Sequence, residues 1–115
     1  MKDDSVYLRH IAECLRRIEK NTTVGLDKFL NSETIQDATL RNLQTMSEAT
    51  QRLSGEIKST RPDIEWERIG AFRNILVHNY LGIDIELIWT IIERDVPVLK
   101  HVVVEMIQNL SKTAD

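Results

Sequence analysis

The segment that decides the fold runs from Ser32 to Ile57 and reads SETIQDATLRNLQTMSEATQRLSGEI. Ser32 stands where a helix would begin, because a serine hydroxyl can accept a hydrogen bond from the backbone of the first turn. From there, apolar or small residues recur every three or four positions, which is the period of one helix face. The segment therefore predicts a long helix whose buried stripe consists of Ile35, Thr39, Leu43, Met46, Thr50, Leu53 and Ile57.

The same periodicity extends toward the N-terminus. Leu8, Ile11, Leu15 and Ile18 predict a first helix from about residue 4 to 21. Residues 22–30 are expected to form a short turn of helix that ends near Asn31.

On the C-terminal side, the run STRP at residues 59–62 interrupts the long helix. Asp63 is a plausible N-cap for a third long helix, and Gly82 fits its exit. Taking about 100° per residue, one arc of this helix is expected to face the core. That arc comprises Ile69, Phe72, Ile75 and Leu76.

Asp84 is expected to cap a last long helix, with Ile83 and Ile88 forming a hydrophobic staple around it. Pro97 lies inside this helix and predicts a kink or a fresh start near Asp95. Only four glycines and two prolines interrupt the chain, and no stretch alternates as a strand would. We therefore predict an all-α fold, an up-down bundle of four to five helices.

Composition limits the classes of function. A chain of 115 residues predicts one domain, 1–115, and its net charge of −3 argues against a wide nonspecific nucleic-acid surface. No run approaches the roughly 20 apolar residues of a membrane span. The single cysteine, Cys14, excludes an internal disulfide and fits a reducing cytosol, so we expect a cytoplasmic protein.

A second segment, RNILVHNY at residues 73–80, concentrates chemistry on the third long helix. Asn74 and His78 are i,i+4 neighbours roughly opposite the core arc, so His78 is expected to face solvent or a partner. If the helix continued to Asn79, it would bury the Asn79 amide in the core arc. We therefore expect the helix to bend or end near Asn79, which would allow Tyr80 to turn outward. Arg73 and His78 lie about 140° apart on the wheel. Two copies of the helix facing each other would bring both side chains to one phosphate, which predicts a homodimer through this helix.

At these residues the chain resembles the HEPN superfamily of small helical proteins, whose signature is Arg-x(4–6)-His. It is most similar to the HepT toxins of toxin–antitoxin pairs, which extend the signature to Arg-x4-His-x-Tyr. Arg73, His78 and Tyr80 match that extension without a gap. The flanks PDIEW at residues 62–66 and DVPVL at residues 95–99 agree as well. The resemblance is best from about residue 62 to 100, and the first half fits in length and helical pattern.

The resemblance implies a dimeric, metal-independent endoribonuclease that acts as the toxin of a type VII-like pair and needs no cofactor. Arg73 and His78 would be catalytic: His78 suits proton transfer near pH 7, and Arg73 suits binding the phosphate. Asn74, and with less support Asn79, would orient the imidazole or hold the RNA. The implied partner is an MntA-type nucleotidyltransferase antitoxin that transfers AMP from ATP onto Tyr80.

Other interpretations compete with each of these residues. A single surface histidine, a solvated arginine or a tyrosine at a helix end is usually structural. Arg73 and His78 could also bind a nucleotide or RNA without cutting it, in a helical subunit of a nucleotidyltransferase complex. A purely structural dimerisation role would leave both unexplained.

Metal binding is not expected, although His10 and Cys14 are i,i+4 neighbours, because no further pair of ligands has suitable spacing. Cys14 is expected to pack in or beside the core and His10 to lie at the surface. We interpret His101 as a helix-surface residue, and Trp66 and Trp89 as core or interface anchors.

Overall fold

The structure, a computed structural model, describes residues 3–114; residues 1, 2 and 115 of the predicted domain lie outside the described part. Within that part, the chain forms α-helices and one 3-10 turn, Tyr80–Gly82, and no β-strand. The all-α prediction is confirmed. The helices are α1 (Asp4–Thr22), α2 (Leu26–Asn31), α3 (Glu33–Arg52), α4 (Gly55–Ser59), α5 (Trp66–His78) and α6 (Ile85–Ala114).

The four long helices, α1, α3, α5 and α6, alternate in direction along the chain, and α3 is the central one. Asp4, at the start of α1, bonds Ser54 just beyond the end of α3, so α1 runs antiparallel to α3. Tyr80, just past α5, bonds Asp37 in the first turns of α3, so α5 is antiparallel to α3 as well. Helix α3 packs against α1 on one side and α5 on the other, while α1 also packs against α6.

Two contacts fix the direction of α6. Near its start, the Trp89 ring lies 5.2 Å from the Phe29 ring of α2, which immediately precedes α3. Farther along, Glu105 accepts a hydrogen bond from Arg61, which follows the end of α3 and α4. Helix α6 therefore runs parallel to α3 and completes the up-down order.

The hydrophobic core is built mainly by α1, α3 and α6. Thirteen of its apolar residues are at most 3% exposed: Leu8, Ile11, Cys14, Leu15, Ile18, Phe29, Leu43, Leu76, Ile88, Val96, Val102, Val103 and Met106. Burial of this apolar surface drives folding, at roughly 25 cal/mol per Å² removed from water. Among residues 3–114, no helix is both long enough and apolar enough to traverse a lipid bilayer.

Both of the clearest predicted helix starts are confirmed. The Ser32 hydroxyl oxygen accepts a hydrogen bond from the Ile35 backbone N–H at 3.2 Å. Asp84 Oδ1 accepts from the Glu86 backbone N–H at 3.0 Å, one residue into α6. Each side chain satisfies a backbone donor that the first turn leaves unpaired.

The prediction of an uninterrupted helix from Ser32 to Ile57 was wrong. Helix α3 ends at Arg52, and Leu53 turns to extended backbone with φ −66° and ψ 144°. Ser54 then caps the short helix α4, and its backbone N–H and hydroxyl both donate to Asp4, at 2.9 and 2.7 Å. This tertiary contact to α1 stabilises a break that the periodicity of α3 conceals.

Asp63 was also assigned wrongly as an N-cap. Helix α5 begins at Trp66, preceded by Glu65, and no side chain caps it. The Asp63 carboxylate instead accepts two hydrogen bonds from Arg61, at 2.8 and 3.0 Å. A bidentate ion pair with a neighbouring guanidinium is a stronger interaction than a single bond to a backbone N–H.

No new helix begins near Asp95, so that alternative for Pro97 is excluded. Helix α6 continues through Pro97 from Ile85 to Ala114. Val96 and Leu99, on either side of the proline, stay buried at 3% and 7% exposure, whereas Pro97 is exposed. The helix therefore keeps its apolar face on the core across the proline, although the Pro97 ring nitrogen has no N–H to donate.

Candidate functional site around the fifth helix

Helix α5 is anchored at its start and ends sharply. The Trp66 indole N–H donates to the backbone carbonyls of Lys58 and Arg61, at 3.2 and 3.1 Å. The helix ends where Asn79 leaves helical geometry, with φ −129° and ψ 37°. A Cβ atom on Gly82 would lie 2.9 Å from Asn79 Oδ1, so a larger residue there would require the Asn79 side chain to move. The prediction that the helix ends near Asn79 is confirmed.

Arg73 lies on the side of α5 that faces α3. Its Nε and Nη2 donate to Glu48 Oε2 at 3.3 and 3.2 Å, and its Nη1 donates to Asn74 Oδ1 at 3.2 Å. Both charged side chains are about one third exposed, at 29% for Arg73 and 35% for Glu48. A guanidinium carries five N–H donors, so about two remain available to a ligand.

His78 lies on the opposite side of the helix. Its side chain is exposed, as is that of Asn74 one turn earlier, and both were predicted to lie away from the core. Within the described residues the imidazole makes no hydrogen bond and no ion pair. Since Arg73 contacts α3 and His78 faces outward, one copy of α5 presents the two side chains in different directions.

Tyr80 returns to contact α3 from the 3-10 turn. Its hydroxyl donates to Asp37 Oδ1 at 2.9 Å, and the side chain remains 46% exposed. The hydrogen bond to Asp37 raises the pKa of the Tyr80 phenol, and burial and the negative charge of Asp37 act in the same direction. The phenol is therefore held protonated, in a fixed position and open to solvent.

Exposed apolar residues precede and follow His78 in the sequence, and one of them was assigned wrongly. Ile75 was predicted to face the core, but it is 51% exposed because α5 buries only a narrow arc, with Leu76 as its one buried residue. Leu81 in the 3-10 turn is 99% exposed, and Leu87 at the start of α6 is 54% exposed. Exposed apolar side chains that lie together are typical of association surfaces.

Sequence reasoning missed the acidic partners of the motif. Glu48 and Asp37 lie 11 positions apart on α3, which is about three helical turns, so they occupy nearly the same face. Arg73 and Tyr80 are spaced along the antiparallel α5 segment to meet them. Two carboxylates repeated at this spacing on the side of a central helix are the signal that could have identified them.

The remaining predicted positions are as expected. Cys14 is buried at 3% exposure, and its sulfur lies 3.8 Å from Nε2 of the exposed His10. His101 is a surface residue with a side chain 75% exposed, 3.4 Å from Glu105. Trp66 and Trp89 both pack against the core. Across the described residues, no group of three or more His, Cys, Asp or Glu side chains is arranged to hold a metal ion.

An up-down helical bundle that carries Arg-x4-His-x-Tyr at the end of one helix defines a protein of the HEPN type. The chain belongs to the HepT-like family: the model of that family, described as "Ribonuclease HepT-like", matches residues 11–106.

Relatives agree with this assignment. The chain is 33% identical over 95 residues to "Probable ribonuclease HepT" of Thermococcus cleftensis, covering 82% of this chain and 86% of that protein. It is 30% identical over 109 residues to a "Putative RNase" of Caldanaerobacter subterraneus, covering 94% and 97%.

A longer relative is also similar along nearly the whole chain. "Gamma-glutamylcyclotransferase and putative RNase" of Methanocaldococcus jannaschii is 33% identical over 112 residues, which is 96% of this chain but only half of that protein. The chain thus spans about half the length of this relative. No solved structure matches the chain significantly.

Proposed function

We propose that this protein is a metal-independent endoribonuclease that acts as the toxin of a toxin–antitoxin pair. The observation that carries the proposal is the arrangement on α5: an exposed His78 that makes no hydrogen bond or ion pair with any residue between 3 and 114, close in sequence to an Arg73 that keeps donors available. Membership of the HepT-like family supports it, as do relatives named for ribonuclease activity. The ion pair with Glu48 gives Arg73 a structural role, but among the described residues no contact of that kind explains the position of His78.

The chemistry needs a base for the RNA 2′-hydroxyl, an acid for the leaving 5′-oxygen and a cation for the phosphorane. His78 would transfer protons, since an imidazole can give or take a proton near pH 7. Arg73 would bind a nonbridging phosphate oxygen through the N–H groups that Glu48 and Asn74 leave available. Attack by the 2′-oxygen yields a 2′,3′-cyclic phosphate, and the 5′-oxygen leaves as a hydroxyl. Asn74 and, less strongly, Asn79 are assigned to orienting the substrate.

A homodimer would complete this site. Arg73 and His78 diverge on a single α5, so two copies of the helix are needed to enclose one phosphate from both sides. The exposed Ile75 and Leu81 lie next to His78 in sequence and supply apolar surface for such contact. Their burial between two protomers would also explain why α5 is packed so sparsely in one chain.

Tyr80 suits regulation better than catalysis, because a phenol whose pKa is raised is a poor base near neutral pH. We assign it as the site of AMP transfer by an MntA-type nucleotidyltransferase antitoxin. Asp37 holds the phenolic oxygen in a fixed, accessible position, as a nucleophile for ATP would require. The added AMP would bring bulk and negative charge to the motif and exclude the RNA phosphate.

Cleavage by the purified protein tests the nuclease proposal directly. Total tRNA and a model mRNA are incubated with the protein in EDTA and resolved on a denaturing gel, with His78→Ala beside the wild type. His101→Ala is the matched control, since His101 is another exposed histidine outside the motif. We expect cyclic-phosphate ends that are lost in His78→Ala and Arg73→Ala but kept in His101→Ala and Arg68→Ala. Cleavage retained by a folded His78→Ala protein would refute the assignment.

Regulation is tested in cells that co-express the antitoxin. Tyr80→Phe should remain toxic but should no longer be neutralised, because the nucleophilic oxygen is absent. Tyr7→Phe is the control, as Tyr7 is the other tyrosine of the chain. Equal neutralisation of Tyr80→Phe would mean that inhibition proceeds by occlusion instead of modification.

A second candidate is a non-catalytic subunit that binds RNA or a nucleotide for a nucleotidyltransferase. The ion pair between Arg73 and Glu48 favours it, because Glu48 partly neutralises the cation that the reaction needs. The net charge of −3 points the same way. RNA binding without cleavage, by an unmodified dimer, would identify this alternative. For either function we propose a cytoplasmic location, consistent with a single cysteine.

A further inference from the structure

A cleft opens beside Arg73, on the side of α5 away from His78. It has a volume of about 510 Å³ and lies where α1, α3 and α5 meet. Tyr7 and His10 of α1 form one wall, and Gln51 and Arg52 of α3 form another. Arg73 lies at its edge. Pockets of this size hold small organic ligands or single building blocks of polymers.

Several polar groups in the cleft are unused by the protein. Among the described residues, the Tyr7 hydroxyl, the Gln51 amide and the Arg52 guanidinium make no hydrogen bond or ion pair. The Gln51 side chain lies close to Gly70 of α5, where a Cβ atom would lie 3.0 Å from Gln51 Nε2. The amide therefore has room at the meeting of α3 and α5 because Gly70 has no side chain.

Glu48 adds an acceptor to this wall of the cleft. Its Oε2 atom receives the two bonds from Arg73, whereas Oε1 accepts no hydrogen bond from any described residue. An unused carboxylate oxygen, next to an amide that can both donate and accept, matches the edge of a base that carries an exocyclic amino group. The Tyr7 ring packs partly against the core and also lines the cleft, so a base can stack only on the part of the ring that faces the cleft.

We propose that this cleft binds one nucleotide of the RNA, adjacent to the phosphate held by Arg73, with a preference over uracil for bases that carry an exocyclic amino group. The base would stack on Tyr7 and present its amino group to Glu48 and Gln51. Arg52 would contact the next phosphate along the strand. This subsite rests on the proposed ribonuclease function and deepens it, because it names where the substrate lies and which bases it favours.

The chemistry of the walls distinguishes RNA from other ligands. Arg52 in one wall and Arg73 at the edge supply two cations, which suits consecutive phosphates of a strand better than the single phosphate of a free nucleotide. Glu48 accepts the hydrogen bonds of Arg73 through Oε2, and its Oε1 favours a hydrogen-bond donor, such as the amino group of a base, over a second anion. The base, not the backbone, is therefore expected in contact with Glu48.

Binding of non-cleavable RNA tests the subsite without relying on catalysis. The wild-type protein is titrated with 2′-O-methyl oligonucleotides of A, C or U, which lack the nucleophilic hydroxyl, and Kd is measured by fluorescence anisotropy. We expect the U oligomer to bind on the order of tenfold more weakly than the A or C oligomer. Equal or tighter binding of the U oligomer would overturn the proposed preference.

Variants assign the binding to named side chains. Gln51→Ala should remove most of the difference between A and U, and Tyr7→Ala should weaken binding of every oligomer by on the order of tenfold. Tyr7→Phe keeps the stacking ring and should lose much less affinity than Tyr7→Ala, which separates lost stacking from the loss of the hydroxyl. Gln108→Ala is the control for Gln51, since Gln108 is exposed on α6 outside the cleft. Unchanged binding in both Gln51→Ala and Tyr7→Ala would eliminate the subsite.

The subsite and the nuclease can fail separately. If wild-type protein cleaves RNA but the cleft variants change neither Kd nor base preference, the subsite is wrong and the nuclease proposal stands. If the variants alter binding while no RNA is cleaved, the subsite stands within an RNA-binding module. AMP or CMP that competes at the same concentration as the oligomers would assign the cleft to a free nucleotide and overturn the RNA subsite.

Discussion

Helices α3 and α5 lie side by side, yet they are buried very differently. Seven of the 20 residues of α3 are buried, and it packs against helices on both sides. Helix α5 buries one residue of 13, Leu76, and it packs mainly against α3. The helix that holds the fold together thus carries the acidic partners, and the helix that carries the motif adds little to the core.

Because of this difference, α3 contributes most of the stability of the two helices, whereas α5 carries the side chains proposed for chemistry. Side chains of α3 such as Leu43, 1% exposed, can be changed only at the expense of packing. Side chains of α5 such as His78 and Ile75 are exposed, so their replacement leaves the core of a protomer intact. Substitutions of buried residues in α3 should therefore lower stability. Substitutions of exposed residues in α5 should lower activity and leave the stability of the protomer nearly unchanged.

The largest effect should come from α5. His78→Ala should lower RNA cleavage by roughly a hundredfold to ten-thousandfold, the usual contribution of a general acid–base. The unfolding temperature should stay within about 3 °C of the wild type, because the exposed side chain that is removed makes no hydrogen bond or ion pair among the described residues. Single-turnover cleavage and a thermal melt of the same preparation measure both effects. A protein that lost activity and stability together would contradict the separation of the two helices.

The next effect should come from α3. Leu43→Ala should destabilise the protein by about 3 kcal/mol, because it removes buried methyl groups and leaves a cavity. Ile75→Ala on α5 should change stability by no more than about 0.5 kcal/mol in the protomer. Urea unfolding at a protein concentration low enough to keep both variants monomeric compares them, since a dimer would add the stability of its interface. Similar losses for the two variants would show that α5 is packed more tightly than its exposure indicates.

A smaller effect concerns the exposed face of α5. Ile75→Glu should weaken self-association at least about tenfold, because it places a charge in the proposed apolar contact. Val104→Glu is the matched control, as Val104 is a partly exposed aliphatic residue on α6. Sedimentation at several concentrations measures the dimer Kd. A wild-type protein that stays monomeric at micromolar concentration would refute the dimer itself.

Much of the fold could be predicted because its determinants are local. The caps at Ser32 and Asp84 and the apolar stripe of α1 depend on residues a few positions apart, so sequence periodicity reports them. The break at Ser54 could not be predicted, because it depends on Asp4, 50 positions away. The prediction of Asp63 as an N-cap was wrong for a related reason, since the Arg61 side chain binds the carboxylate that a cap would use.

The candidate site divides in the same way. The helical wheel correctly predicted that His78 faces away from the core, because this prediction requires only the position of the core-facing side of α5. It placed Ile75 wrongly because the width of the buried arc depends on how many helices surround α5. Glu48 and Asp37 remained hidden since their contacts span 25 and 43 positions, and such pairs form only when two helices align.

The smallest predicted effect is the titration of Tyr80, where the two helices meet. The hydrogen bond to Asp37 raises the phenol's pKa, so the protonated form is favoured in the folded protein. This contribution to stability is fully present below the ordinary tyrosine pKa and is lost as pH rises through the raised one. Asp37→Asn should therefore lower the pKa of Tyr80 toward its ordinary value, since the negative acceptor becomes neutral. Tyrosinate absorbance measures it, and Tyr80→Phe isolates the signal of Tyr7. An unchanged titration in Asp37→Asn would mean that Tyr80 is not held against α3, and that α5 is even less tied to α3 than its single buried residue suggests.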